Sequence, residues 1–197
     1  IPFAAWFFSG IIAWNFFADV MNASCNVLNE YSFMLKKVEF DVSALPLVKL
    51  FSGLLIHLIF LSIVLIVLFF SGIKPSWHWL TGLYYLGALL YLQLGLSWLL
   101  SALNVFLRDT SQLISIILQL GFWVTPVIWD VGRIAPRYVW FLKLNPVMYI
   151  TEGYRHAFLY QDSLFQIKSW WSVYFWTVST VLFFSGSYVF KKLKPHF

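Results

Sequence analysis

Residues 54–70 read LLIHLIFLSIVLIVLFF and contain no Asp, Glu, Lys or Arg. Fifteen of them are strongly apolar. Each such residue favours the bilayer by roughly 0.3–0.6 kcal/mol, roughly 4–9 kcal/mol in all, which is enough to carry His57 and Ser62. No other feature restricts the fold as much. In hydrocarbon every backbone N–H and C=O must be satisfied within the segment, so this stretch has to be a membrane helix. Its uncharged run extends over residues 50–73, and four more such runs cover 1–18, 75–107, 110–129 and 169–190. A hydrocarbon core about 30 Å thick takes about 20 helical residues to cross. The expectation is therefore five spans, at about 1–20, 47–72, 79–107, 110–129 and 169–190. The third run exceeds one crossing, so it tilts or starts in the interface.

Composition agrees. Charged residues make up 11% of the 197-residue chain and hydrophobic ones 61%. A soluble domain carries about 25% charged residues. These proportions exclude a soluble enzyme, a disordered chain and a nucleic-acid binder; the net charge of +5 forms no basic stripe. The single cysteine, Cys25, excludes an internal disulfide framework and a cysteine-rich zinc site. The expected fold class is all-α, a polytopic membrane helical bundle with one domain over 1–197. The chain opens on Ile1 with no basic n-region or cleavage site. It reads as a fragment lacking its natural beginning rather than as a signal peptide.

Lys and Arg near span ends set the orientation. Lys191, Lys192 and Lys194 follow the last run directly, which puts the C-terminus in the cytoplasm. Counting back places Lys36, Lys37, Lys49 and Arg108 inside and Lys74 outside, with the long segment 130–168 also outside. Short connections alone then give seven basic residues inside against one outside.

Two stretches are not plain spans. Over 29–41, Tyr31, Met34, Leu35 and Val38 recur at helical spacing among charges. This predicts a cytoplasmic amphipathic helix that faces a partner or the membrane surface. The segment 130–168 is too long for a turn and too apolar for a free loop. Asn145-Pro146 marks a helix start there. The helix that follows is expected to lie in, or dip into, the outer leaflet, which irregular backbone tolerates only when buried or lining a water-filled cavity. Glu152 and Arg155, three apart, read as a surface ion pair. Between the third and fourth runs, Asp109 and Gln112 resemble a capping box, and GFWVTP (121–126) predicts a bend.

Catalytic signals are sparse. There is no phosphate-binding glycine loop, so ATP is not expected to bind this chain, and no metal-ligand spacing appears. His57 reads as a neutral imidazole bonded to a neighbouring helix, with an ion or proton role as the sharper alternative. Asp19 reads as water-facing. Aromatics cluster at span ends as an interfacial belt does; a subset facing a channel would stack on sugar rings. Ser97 and Ser101 form a small-residue pair permitting close helix packing.

The segments FLRDTSQLISIILQLGFWVTPVIWD (106–130) and LNPVMYITEGYRHAFLY (144–160) resemble the type-2 ABC exporter permeases of polysaccharide export, which move O-antigen, capsule or teichoic acid. The resemblance is strongest there and looser over the whole chain. It implies a six-span permease whose first span is absent here. It also implies a homodimer, two separate ATP-binding cassette subunits carrying ATP and Mg, and a lipid-linked glycan in the bacterial cytoplasmic membrane. ATPase coupling would fall to Glu30, Tyr31, Met34, Leu35, Lys36 and Lys37, with Arg108 and Asp109 nearby. The outer gate would be 134–160, with Pro146, Tyr149, Glu152, Tyr154 and Arg155. Trp6, Tyr91 and Trp123 would be channel aromatics. One departure is Glu39 and Asp41, where many relatives place a Pro after the aromatic residue. An exporter for another lipid or drug-like amphiphile is the nearest alternative. A membrane enzyme using His57, Asp19 and Glu152 is a more distant one.

Overall fold

The computed structural model describes residues 2–35, 41–161 and 169–196. Over these residues the chain is helical: α1 (Phe3–Glu30), α2 (Ser32–Leu35), α3 (Ala44–Phe70), α4 (Thr81–Phe106), α5 (Thr110–Val124), α6 (Pro136–Lys143), α7 (Pro146–Arg155) and α8 (Ser169–Leu193). Four stretches are long and apolar enough to cross a bilayer: α1, α3, α8, and α4 with the 3-10 turn Trp77–Leu80 that leads into it. That turn gives the over-long third run its interfacial start. The fourth run behaves differently. The helix α5 has 15 residues, about 22 Å at ~1.5 Å per residue, and gives way to extended backbone at Thr125. Pro126, which has no N–H to offer, follows directly.

Cross-helix bonds fix the directions. Gln93 Nε2 donates to Phe16 O at 3.0 Å and Asn104 Nδ2 to Cys25 O at 3.0 Å, so α1 and α4 run parallel. Trp176 Nε1 donates to the Tyr84 hydroxyl at 2.7 Å, and Phe183 stacks on Tyr91 at 4.7 Å, so α8 runs the same way. The antiparallel helices are α3, whose His57 stacks on Phe16 at 4.5 Å, and α5, whose Ser115 donates to Asn22 at 3.1 Å. Of the long helices α3 is the least covered by protein. Its outward row includes Leu55, Ile59 and Ile63, all exposed.

Local chemistry sets the ends. After α3 the N–H groups of Gly72 and Ile73 return to the carbonyls of Phe69 and Leu68, at 3.1 Å each. Gly72 takes the left-handed φ of +86° that this closure requires. Pro46 lies in the first turn of α3, where no helical partner exists for its missing N–H. The capping box expected at Asp109 does not form. Asp109 makes no side-chain cap bond, and the Ser111 N–H donates instead to Asn104 Oδ1 at 3.1 Å, from α4. The amphipathic helix expected over 29–41 starts inside another element: Glu30 is the last residue of α1, Tyr31 is a turn, and α2 has only four residues. The helix α1 runs on past Ala18 because Asn26, beyond the apolar run, finds a partner in Asn104, at 3.3 Å. Residues 36–40 lie outside the described residues, Lys36 and Lys37 among them.

The tightest crossing joins α4 to α8. A Cβ at Gly186 would strike the backbone carbonyl of Gly95, and one at Gly95 would come 2.6 Å from Phe183 Cα. Ser97 and Ser101 are buried on the same helix, but the two glycines set the approach. Gly87, in contrast, faces open space. Replacing Gly186 by Val should therefore destabilise the protein by at least ~1–3 kcal/mol, the usual cost of overpacking. Gly87→Ala should be neutral or stabilising by up to ~1 kcal/mol through helix propensity. Thermal unfolding in detergent checks both.

Candidate functional site

The segment 125–161 turns back into the bundle. Asn145 caps α7 by accepting from the Val147 N–H at 3.0 Å, and Pro146 takes the first helical position. The capping side chain also donates from Nδ2 to Thr125 Oγ1 at 2.7 Å, tying the start of α7 to the end of α5. Almost all of α7 is then buried: Val147 to Thr151, Gly153, Tyr154 and Arg155. The helix continues as a π-helical turn, His156–Tyr160, and stops at Gln161, which is left-handed (φ 54°) and donates from Nε2 to Lys74 O at 2.7 Å. Gly153 lies against the Tyr85 ring with no room for a Cβ.

Arg155 is the centre of this segment. The pair it makes with Glu152 is present, but its setting reverses the expectation of a surface pair. The Arg155 side chain is 1% exposed and that of Glu152 19%, with Nη1 to Oε1 at 2.6 Å. Its Nη2 donates to Val127 O at 3.1 Å, and the guanidinium lies 3.6 Å from the centroid of the Trp6 ring. A Cβ on Gly10 would come 2.6 Å from Nη2, so a side chain at that position of α1 would push the guanidinium aside. The spacing is legible in the sequence but the burial is not, because α1 and the 125–130 turn supply the walls.

One residue away, Tyr154 reaches across the bundle. Its hydroxyl and His57 Nε2 share a hydrogen bond at 3.0 Å. His57 is the middle residue of the 27-residue α3, so α7 descends to about the mid-depth of that helix. The imidazole is thus held by another helix. Tyr149 joins α4, α7 and α8. Its hydroxyl donates to Ser172 Oγ at 3.1 Å and meets the Tyr84 hydroxyl at 3.2 Å, and its ring stacks on Phe175 at 4.6 Å. Trp171 Nε1 donates to Lys143 O at 3.0 Å and the Tyr174 hydroxyl to Leu144 O at 2.8 Å, holding the link between α6 and α7.

The three aromatics expected in a channel do not meet. Trp6 lies under Arg155, Tyr91 is stacked between α4 and α8, and Trp123 is 63% exposed on α5. His57, Asp19 and Glu152 do not converge either. His57 and Asp19 line one groove of about 380 Å³ between α1 and α3, while Glu152 faces Arg155. Among the described residues no three of His, Cys, Asp and Glu come together as a metal-holding group.

At the opposite end, two ion pairs join segments distant in sequence. Lys49 Nζ lies 2.7 Å from Glu30 Oε2 and 5.7 Å above the Tyr31 ring. Lys194 Nζ lies 2.7 Å from Asp41 Oδ1, so the C-terminal tail is tied to the connection before α3. Lys49 and Lys194 are partners the sequence did not single out. Arg108 and Asp109 are exposed on the α4–α5 connection. Two further rows had a legible spacing but went unread. Asn15, Asp19, Asn22 and Asn26 fall at i, i+4, i+7 and i+11 on α1, and Gln112, Ser115 and Gln119 at i, i+3 and i+7 on α5.

Comparison with known proteins bears on what this arrangement is for. Residues 2–159 match the family model described as ABC-2 type transporter. The chain belongs to the ABC-2 type transporter family. It is also similar to two proteins of Klebsiella pneumoniae named O-antigen export system permease protein RfbA. One is 27% identical over 191 residues, 96% of this chain and 72% of the relative; the other is 26% identical over the same spans. A protein of the same name from Myxococcus xanthus is 25% identical over 197 residues, 99% of this chain and 75% of the relative. The chain is thus a multi-pass membrane transport subunit of the ABC-2 type. The buried re-entrant segment is a built part of its bundle.

Two outcomes follow. Arg155→Met should cost about 3–5 kcal/mol, because it strands the Glu152 carboxylate in a low-dielectric site. The double variant with Glu152→Gln should lose less than Arg155→Met alone, a non-additivity that thermal unfolding of the single and double variants measures. At the other end, the Lys194 ammonium and the Ser43 N–H pull the Asp41 carboxyl down to about 2. A lowered carboxyl stabilises the folded state above the unfolded value of ~3.9, and that contribution is lost as pH falls through about 2. Fluorescence transfer between labels at positions 42 and 195 should stay constant from pH 7 to about pH 4 and fall below it. Asp41→Asn should remove the pH dependence.

Proposed function

We propose that the chain is the permease subunit of an ATP-driven exporter moving lipid-linked polysaccharide across the bacterial cytoplasmic membrane, with its C-terminus in the cytoplasm. The observation that carries this is the alignment of three relatives named for O-antigen export, each along 96% or more of the chain. O-antigen is accordingly the polymer favoured over capsule or teichoic acid. Two permease copies work with two ATP-binding cassette subunits, and ATP with Mg acts on those partners.

The end of the bundle that bears Glu30, Tyr31, Arg108 and Asp109 docks on the cassette, together with the stretch through Met34, Leu35, Lys36 and Lys37. The Glu30–Lys49 pair links the end of α1 to the start of α3, and the Asp41–Lys194 pair links the tail to the same connection. Motion delivered there reaches α1, α3 and α8 together. From α1 it passes through Trp6 and Gly10 to Arg155, and from α3 through His57 to Tyr154. The re-entrant helix is therefore the element that both cassette-driven helices grip, as an outer gate requires. Pro146, Tyr149, Glu152, Tyr154 and Arg155 serve that gate as its start, its anchor to α8 and its charged core.

Exchanging the exposed charges at the dock, Arg108→Glu with Asp109→Lys, should cut co-purification of the cassette subunit at least tenfold. The melting temperature should not change, since neither side chain is buried. Reconstituted complex should bind lipid-linked glycan in preference to the free lipid; the reverse preference would assign the exporter to another amphiphile.

A further inference from the structure

The faces of α1 and α5 that meet at the Asn22–Ser115 hydrogen bond carry an amide-rich strip that packing inside the chain does not explain. On α1, Asn15 and Asp19 are exposed and Asn22 and Asn26 half-buried; on α5, Gln112, Ser115 and Gln119 are exposed. The two rows run side by side. Ser115 Oγ donates to Asn22 Oδ1 at 3.1 Å, and on α4 Asn104 holds both Asn26 and the Ser111 N–H. Further along, the Trp14 ring packs where a Cβ on Gly121 would lie, which fixes the helices antiparallel with Gln119 near the level of Phe16. Phe16 stacks on His57, the midpoint of α3. The strip therefore runs from mid-depth, at Asn15 and Gln119, to the end that carries Glu30 and Lys49.

Exposed amides and a carboxylate at that depth do not face lipid, because polar groups in a bilayer are turned toward protein or a water-filled cavity. Lipid is served by a different surface, the outward row of α3. We infer that this strip lines the cytoplasmic half of a water-filled path and binds the hydroxyls of an uncharged stretch of the exported glycan. The inference rests on the polysaccharide-export reading above. Each amide offers two donors and an acceptor, and a hydroxyl offers one donor and an acceptor, so successive sugars pair with it in many registers. Such bonds compete with water at every step. A polymer must be held weakly at many sites if it is to slide, as an ion must in a channel. The strip has one carboxylate, Asp19, and no cation, which suits neutral sugars. Beside it the α1–α3 groove, walled by Phe7, Phe8, Ile11, Ile56 and Phe60, has Asn15 and Asp19 among its lining residues. Apolar and hydroxylated parts of one amphiphile are thereby sorted to adjacent surfaces of α1.

Thiol accessibility tests this in inside-out membrane vesicles, prepared from cells carrying the complete exporter with Cys25→Ser, whose cytoplasmic face meets the reagent. Single cysteines at Asn15, Asp19, Ser115 and Gln119 should react with a charged methanethiosulfonate at least tenfold faster than cysteines at Leu55 and Ile59. They should be slowed at least threefold in vesicles from cells making the lipid-linked polymer relative to vesicles from the same cells unable to make it. The double variant Asn15→Leu, Gln119→Leu should lose at least 90% of export while keeping cassette co-purification. Strip thiols no faster than the α3 controls would overturn the inference. So would strip thiols that cross-link fully to a second copy in place of reacting, or labelling indifferent to polymer. If the unmodified exporter moves no glycan, the underlying functional reading fails instead, whatever the labelling shows.

Discussion

A guanidinium buried in a membrane bundle needs partners for its charge, and the packing around both terminal nitrogens of Arg155 answers that demand. The carboxylate of Glu152 neutralises it, the Val127 carbonyl accepts from it, and the Trp6 ring covers its face. Each partner comes from a different place: α7 itself, the turn after α5, and the start of α1. Meeting the charge thus fixes where three segments lie. Gly10 leaves the room that the guanidinium occupies, since a Cβ there would come 2.6 Å from its Nη2. Breaking such a site is costly because a buried charge loses its partners, whereas an apolar replacement of the whole set could be tolerated. The arrangement is accordingly better understood as fixing a position than as adding stability.

The remaining architecture complements this point. The parallel helices α1, α4 and α8 pack together, with α4 and α8 in close backbone approach at Gly95 and Gly186. The helix α7 is clasped by all three through Arg155, Gly153 and Tyr149. The helix α5 gives way to extended backbone at Thr125, and the residues after it fold inward to complete the bundle. One end holds the aromatic network around Tyr149, and the other holds amide contacts and exposed ion pairs between segments distant in sequence.

How much of this the sequence displayed depended on whether a property was local. Hydrophobic runs located the long helices because crossing a bilayer is a demand each run meets alone. Asn145-Pro146 announced α7 because cap and proline act within one turn. Failures came where the partner was remote. Asp109 looked like a cap, yet Asn104 does the work. The spacing of Glu152 and Arg155 was legible; their burial depends on residues more than a hundred positions away. The stacking of Phe183 on Tyr91 likewise joins residues on two helices and has no local signal. The rows Asn15–Asn26 and Gln112–Gln119 were legible by period, but scanning for charge passes over amides.

One more consequence concerns α3. In its most apolar window only 17% of the residues are buried. Lipid tails do not distinguish Leu from Ile, Val or Phe at a given position, so the outward row carries almost no positional information. Positional information lies instead on the buried side, with Leu50, Val64 and Leu68 in the core, Gly53 against Val20 and His57 on Tyr154. The most conspicuous stretch of the sequence is in this sense its most interchangeable one. Within α3, the identity of the protein rests on the few residues that face the rest of the bundle.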